Sequence, residues 1–136
     1  MVNEAMACGL PVIVSETAGC AEDLLSPASE DFRDGVAATA LWRAANSEVR
    51  LRRNGLLFNP QSDESLASAL RTLSETPALR GVMGQASRAI IAGFSCEAFA
   101  RNALLAARAA LGEAVSVPPA FSSVEPALGV PSGLRS

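Results

Sequence analysis

Histidine, lysine and tyrosine are absent from the 136-residue sequence, so all eleven of its basic residues are arginine. Without histidine the chain has no imidazole to act as a general base or a metal ligand. Without lysine it lacks both the P-loop lysine that contacts nucleotide phosphates and a lysine that could form a Schiff base. Any proton transfer would have to use a carboxylate, a thiol or the substrate itself.

Cysteine is also scarce, and Cys8, Cys20 and Cys96 are widely spaced and odd in number. They form no C-x-x-C pair, and no histidine could complete a zinc site, so we predict no metal site. A nucleophilic cysteine would need an activating base that the chain does not have. We interpret the three as small, half-buried thiols of a protein from a reducing compartment.

Long apolar runs and positive charge are missing as well. No apolar run approaches the roughly 18 to 20 residues of a membrane span, and no basic segment of a signal peptide opens the sequence. The net charge of −3 argues against nucleic-acid binding. The densest basic stretch, residues 50–53, is interpreted as a solvated cluster, with a phosphate or an anionic membrane as the alternative. We predict a cytoplasmic protein, with the inner face of the membrane as an alternative location.

The N-terminal quarter predicts a helix, a strand and a second helix. Residues 4–8 predict a helix that Gly9 ends, with a proline close behind. Residues 11–15 (PVIVS) form a β-branched apolar run typical of a strand buried on both faces. A turn containing Gly19 then leads into a short helix over residues 20–25.

Residues 26–53 are interpreted as an irregular insert, with a helix over residues 36–45 that Trp42 anchors. A short strand is predicted at residues 56–58, after an Asn-Gly turn. The alternation of strands and helices predicts an α/β fold with a parallel sheet. Two short strands, however, would be too little sheet to cover helices on both faces.

Three helices are predicted in the C-terminal half. Ser62 or Asp63 can cap the first, whose apolar stripe at i, i+3, i+4 and i+7 is Leu66, Ala69, Leu70 and Leu73. Thr76 is predicted to cap the second, over residues 77–91, which has proline at its first position. Ser95 is predicted to cap the third, which runs to about Leu111.

The last segment, residues 112–136, is rich in Pro, Ser, Gly and Ala and predicts a disordered tail. The ordered domain is therefore predicted to span residues 1–111. Its helices have more apolar surface than the predicted sheet can cover. We therefore expect a piece of a larger α/β domain with marginal stability of its own.

Residues 3–15 (NEAMACGLPVIVS) combine a helix, a glycine stop, a proline and a β-branched strand. This segment resembles part of the retaining GT-B glycosyltransferases. The resemblance covers residues 2–25 and 54–110, although the later helices are individually common in α/β proteins. It implies a partial Rossmann-like, nucleotide-sugar-binding domain, the C-terminal half of a GT-B fold.

Within that family, Glu4 matches the second glutamate of an E-x7-E motif. The resemblance implies that Glu4 accepts hydrogen bonds from the ribose hydroxyls of the donor nucleotide, which a carboxylate can do for a vicinal diol. Asn3 and Ala5 would lie near the donor pyrophosphate, because free N–H groups at a helix N-terminus favour an anion. Without the family, Glu4 is an ordinary glutamate in the first turn of a helix.

Other parts of the family's site fall before Met1: the first glutamate of the motif, an arginine–lysine pair and the acceptor-binding domain. The chain is therefore expected to be truncated within the donor site. Where the family has Gly-Gly-x-x-Glu after the strand, this chain has Gly19, Cys20 and Asp23 at the first, second and last positions. Gly19 would permit the turn, and Asp23 is either a site residue or an acid on the helix surface.

The resemblance implies transfer of a sugar from a UDP- or GDP-linked nucleotide sugar to a glycan or lipid acceptor held by the missing domain. It implies no metal and no further cofactor. We expect no catalytic residue in this chain and negligible transferase activity from it alone. Peripheral membrane contact is an expectation for the full-length protein and not for this chain alone. The alternatives are non-enzymatic: a truncated remnant, a half-domain that binds a separately encoded partner, or a helical interaction module.

Overall fold

A computed structural model describes residues 1–37 and 49–116 of the chain. Within these ranges the elements follow in the order α1 (Val2–Ala7), β1 (Val12–Ser15), α2 (Ala21–Leu24), α3 (Glu30–Ala37), β2 (Val49–Arg52), β3 (Gly55–Phe58), α4 (Asp63–Glu75), α5 (Pro77–Ile91) and α6 (Cys96–Ala110). Most of the helix predicted at residues 36–45, with Trp42, lies outside the described residues. So do residues 117–136 of the predicted tail.

The three strands form a mixed sheet in the order β1-β3-β2. β1 and β3 are parallel, with Val12 opposite Gly55, whereas β2 and β3 form an antiparallel hairpin. The chain is thus a mixed α/β protein, as predicted. A parallel sheet is the correct prediction for β1 and β3 only.

Strand β2 corrects the prediction of an irregular insert over residues 26–53, and α3 also lies in that segment. The signal for β2 was present in its sequence. Residues 49–52 (VRLR) alternate apolar and basic side chains, the period of a half-buried strand. Val49 and Leu51 are buried, while Arg50 points outward and pairs with Glu16 at 3.3 Å.

Helices cover both faces of this small sheet, because neighbouring side chains of β3 point to opposite sides. Leu56 belongs to a core cluster with residues of α3, α4 and α5, and Leu57 belongs to a second cluster with residues of α1 and α2. In β1, Ile13 packs against the first cluster, and Val12 and Val14 lie in the second. The expectation that so little sheet could not cover helices on both faces was wrong, since β2 adds a third strand.

The turn between α1 and β1 has the predicted glycine stop. Gly9 has φ +73°, a left-handed backbone that favours glycine. Leu10 N–H donates to Ala5 O at 3.0 Å and Gly9 N–H donates to Met6 O at 2.9 Å, the bond pair of a Schellman motif. The chain therefore reverses direction, and the N-terminus of α1 lies toward the end of the sheet at which β1 ends.

Asn54 joins four elements behind this turn. It is fully buried, its Nδ2 donates to Leu24 O at 2.9 Å, and its Oδ1 accepts from Ser26 N–H at 3.2 Å. Its carbonyl accepts from Val12 N–H at 3.2 Å and from the hydroxyl of Ser87 at 3.4 Å. The Asn-Gly pair predicted as a simple turn thus also ties β1, the end of α2 and α5 to the hairpin.

Helices α1 and α5 pack closely because α5 has a glycine at the contact. A Cβ built at Gly84 would lie 2.1 Å from the carbonyl oxygen of Gly9, which no side chain could tolerate without movement. A Cβ at Gly81, one turn earlier on the same helix, would meet nothing within 4 Å. The two glycines of α5 therefore differ: only Gly84 is needed for packing.

The caps of the last three helices are mostly as predicted. Ser62 accepts a hydrogen bond from Ser65 N–H, and Ser95 accepts one from Ala98 N–H. Thr76 occupies the predicted cap position of α5, but its side chain makes no capping bond. In the adjoining turn Arg80 instead donates to the carbonyls of Leu73 and Ser74, which satisfies the C-terminus of α4.

The predicted apolar stripe of α4 is only half correct. Ala69 and Leu73 are buried, but Leu66 and Leu70 are exposed. The buried face is rotated toward Ser65, Ser68 and Thr72. Hydroxyls can occupy it because they find local acceptors or donors: the Thr72 hydroxyl donates to Ser68 O at 2.8 Å, and that of Ser65 accepts from Asn59 N–H at 2.9 Å.

Helix α6 is attached to the body along a narrow strip, with Ala98 buried and Leu105 half-buried. Phe99, Leu104 and Leu111 are exposed. Of the helices in the described ranges, none alone is long and apolar enough to cross a membrane. Helices α5 and α6 together have the length and composition, but they bend by 48° at the break between them.

Candidate functional site

A shallow groove of about 550 Å³ lies between the start of α1 and the C-terminal end of α5. Its lining is Asn3, Glu4, Ala7, Arg88, Ile91, Ala92 and Phe94. Because α1 and α5 run in opposite directions, with Gly84 packed at Gly9, the last turn of α5 lies beside the first turn of α1. One wall thus offers a carboxylate and an amide, and the other offers a guanidinium and apolar side chains.

Glu4 is well exposed, with 76% of its side chain accessible. Its carboxylate pairs with the α-ammonium of Met1. Hydrogen bonding from that ammonium holds the pKa of Glu4 below its ordinary value of 4.5, and the residue's own backbone N–H and the ammonium charge add to the effect. Glu4 is therefore ionised at neutral pH and acts purely as a hydrogen-bond acceptor, the state that a diol would require.

Of the two residues predicted to lie near a pyrophosphate, Asn3 lines the groove beside Glu4, and Ala5 is not among the lining residues. The N–H of Ala5 donates to Met1 O at 3.2 Å, and its side chain packs against the second core cluster. The donors of the first turn that make no intrahelical bond belong instead to residues 2–4.

Arg88 is the groove residue that the sequence did not single out. Its Nη2 donates to Cys8 O at 3.2 Å, and its guanidinium lies across Gly9, where a Cβ would approach Nε to 2.3 Å. The cation thus sits at the C-terminal end of α1, where partial negative charge favours it. Arg88 is exposed, lines the groove and makes no ion pair within the described residues.

Gly19 and Asp23 lie in and after the turn that follows β1. The turn is built by Ser15, whose hydroxyl accepts from Thr17 N–H at 3.3 Å and whose carbonyl accepts from Ala18 N–H at 3.0 Å. Gly19 has no positive φ and would have open space around a Cβ, so this turn does not require a glycine.

Asp23 is exposed in the first turn of the short helix α2. As far as the described part of the chain goes, neither Gly19 nor Asp23 lines the groove that contains Asn3 and Glu4. The structure therefore brings together two of the five predicted site residues and adds Arg88 to them.

The three cysteines are free thiols. Cys20 is half-buried as expected, but Cys8, at the end of α1, and Cys96, at the start of α6, are exposed. Within residues 1–37 and 49–116, no three cysteine, aspartate or glutamate side chains come together as a metal site.

Comparison with known proteins adds no family assignment. No protein-family model, no curated protein and no solved structure matches the chain. The resemblance to GT-B glycosyltransferases therefore remains a prediction from residues 3–15 and the segments that follow.

Proposed function

We propose that this chain supplies the ribose-binding end of a nucleotide-sugar site in a retaining GT-B glycosyltransferase, with a partial Rossmann-like domain as its scaffold. The single observation that supports this most is the position of Glu4. Its carboxylate is ionised, exposed and placed on an open groove at the start of α1. Such a group can accept both hydroxyls of a ribose in charge-assisted hydrogen bonds.

Arg88 would contribute the charge that a nucleotide diphosphate needs on this side of the site. It lines the same groove as Glu4, and its guanidinium offers several donors in a fixed geometry. The sugar, the nucleotide base and the acceptor would be selected by groups outside this chain. Transfer would then depend on positioning and on stabilisation of the departing diphosphate.

The test is calorimetric titration of the chain with UDP, GDP and 2′-deoxy-UDP. Loss of the 2′-hydroxyl should weaken UDP binding about tenfold, because one charge-assisted hydrogen bond is removed. The variant Glu4→Gln should bind UDP and 2′-deoxy-UDP almost equally. Glu64→Gln, an exposed first-turn glutamate of α4, is the matched control and should keep the difference.

A role for Arg88 predicts a different pattern. Arg88→Gln should weaken UDP and 2′-deoxy-UDP by the same factor and reduce the salt dependence of both, because it would contact phosphate and not ribose. Equal binding of UDP and 2′-deoxy-UDP by the unmodified chain would rule out the ribose role of Glu4.

A non-enzymatic function as a binding half-domain is the second candidate. The observation that favours it is the apolar surface that α6 exposes, which includes Phe99, Leu104 and Leu111. A half-domain without sugar chemistry would bind none of the nucleotides in the titration and would show its function through association instead.

A further inference from the structure

Helix α6 presents a broad apolar face to solvent. At about 100° per residue, the side that faces away from the buried Ala98 comprises Cys96 and eight apolar residues, all of them exposed: Phe99, Ala100, Ala103, Leu104, Ala106, Ala107, Ala110 and Leu111. Phe99 is 76% accessible and Leu111 is 79% accessible. The face extends over the whole length of the helix.

The charged residues of α6 are confined to one flank of this face. Glu97, Arg101 and Arg108 lie between the apolar face and the attached strip, whereas the other flank has Asn102 and Ala109. Opposite charges therefore stand near opposite ends of the same flank. Arg108 also has a long contact of 3.7 Å with Glu113, but both side chains are more than half exposed, so that pair is weak and easily exchanged.

We propose that α6 mediates self-association, pairing antiparallel with α6 of a second copy of this chain. In an antiparallel pair with a two-fold axis, each flank meets the same flank of the other copy. With the axis between Asn102 and Ala103, at the middle of the helix, Glu97 of each copy lies opposite Arg108 of the other. A parallel pair would place the charged flank against the uncharged one and form neither ion pair.

The same register also matches side-chain sizes. Phe99 of one copy lies opposite Ala106 of the other, so that a large side chain meets a small one on both sides of the axis. The alanines between them allow the helix axes to approach to about 8 Å, the lower end of helix–helix distances. The positions of the charged residues and the sizes of the apolar side chains therefore both favour the antiparallel pair in this register.

A membrane surface fits the face less well than a second copy does. Interfacial helices bury large apolar side chains and have several basic residues on the polar side. Five of the eight apolar residues of this face are alanine, α6 has only Arg101 and Arg108, and the whole chain has a net charge of −3. Alanine gains little in lipid but favours close packing of two helices.

Sedimentation of the full 136-residue chain between about 1 µM and about 1 mM tests the proposal. A reversible monomer–dimer equilibrium is expected. Glu97→Arg and Arg108→Glu should each weaken it about tenfold, because two symmetric ion pairs become two repulsions. The double variant should recover the original association, since the pairs are restored with reversed sign. All these residues are exposed, so circular dichroism should show an unchanged fold.

Disulfide crosslinking tests whether the two α6 helices pair in this antiparallel register. In a background with Cys8→Ser and Cys96→Ser, which removes the two exposed thiols, Ala103→Cys places two thiols beside the axis and should give a disulfide-linked dimer on mild oxidation. Ala109→Cys, on the uncharged flank away from the axis, is the control and should form no disulfide between copies.

Three results would overturn the proposal: a monomer at every concentration, a double variant as weak as either single variant, or a monomer that co-sediments with phosphatidylcholine–phosphatidylserine vesicles. None of these outcomes depends on nucleotide binding, so the self-association and the ribose role of Glu4 are tested separately.

Discussion

Two regions of this protein are attached to its body in opposite ways. The first is the segment from α1 to the β2–β3 hairpin, and the second is helix α6. Strand β3 has core clusters on both sides, hydrogen-bonded neighbours on both edges and a fully buried asparagine at its start. Helix α6 has the longer sequence but only one buried side chain. The comparison shows that regular local structure and tertiary attachment are separate properties: caps and helix propensity form α6, whereas burial fixes β3.

Truncation of a leucine should separate the two regions most strongly. Leu56→Ala removes a fully buried side chain from the core cluster formed with α3, α4 and α5 and should lower the free energy of unfolding by about 3 kcal/mol. Leu104→Ala makes the same change on the exposed face of α6 and should alter it by less than about 0.5 kcal/mol. Urea unfolding at low protein concentration measures both. Similar losses would mean that α6 is covered in solution.

Removal of an asparagine amide should have the next largest effect. Asn54→Ala removes the amide's buried hydrogen bond to Leu24 O and its part-buried one from Ser26 N–H, and should cost about 2 to 3 kcal/mol. The counterpart is Asn102→Ala on α6, which is exposed and should stabilise slightly through helix propensity. Thermal unfolding of both variants compares them. A tolerated Asn54→Ala would show that its hydrogen bonds contribute little.

The two glycines of α5 allow a packed position and an open position to be compared within one helix. Gly84→Ala forces a methyl group against Gly9 O and should destabilise the fold by about 2 kcal/mol. Gly81→Ala gains the same helix propensity without a clash and should stabilise by about 0.5 to 1 kcal/mol. Opposite signs in urea midpoints are expected. Equal gains at both positions would mean that α1 is not held against α5.

Acetylation of the α-amino group should have the smallest effect. It removes the hydrogen bond that lowers the pKa of Glu4, so this pKa should rise toward 4.5. A carboxyl group whose pKa is lower in the folded state than in the unfolded state stabilises the fold at pH values above its unfolded pKa. This stabilisation is lost as the pH falls through the folded-state pKa. Acetylation should therefore remove a small stabilising contribution at neutral pH. Carboxyl-carbon NMR titration measures the shift. Acetylation should also tighten UDP binding, because the ammonium no longer competes for Glu4.

Sequence reasoning succeeded where one short signal decides the structure. The glycine stop at Gly9, the cap at Ser62 and the proline at the start of α5 each fix an element locally, and all three lie where they were predicted. The failures have a different origin. Leu66 and Leu70 fit an amphipathic stripe, but the tertiary packing of α4 buries the face that contains its serine and threonine residues instead.

The groove shows the same limit. Glu4 and Asn3 could be predicted because they lie in one recognisable segment. Gly19 and Asp23 were predicted from the same resemblance, but they do not line the groove that contains Asn3 and Glu4. Arg88 lies 84 residues after Glu4 in the sequence, and no local pattern marks it. Only the antiparallel packing of α1 on α5 brings its guanidinium to the groove, so its role required the fold.

The contact between Gly9 and Gly84 also restricts how this sequence can evolve. Position 9 needs glycine for its left-handed backbone and because Arg88 covers it, and position 84 needs glycine because the carbonyl of residue 9 fills the space. A substitution at position 9 would leave its carbonyl in place, so it could not relieve the clash of a side chain at position 84. The two glycines are thus restricted separately. Position 9 is instead expected to covary with position 88, where the side chain should be shorter in sequences in which position 9 gains one.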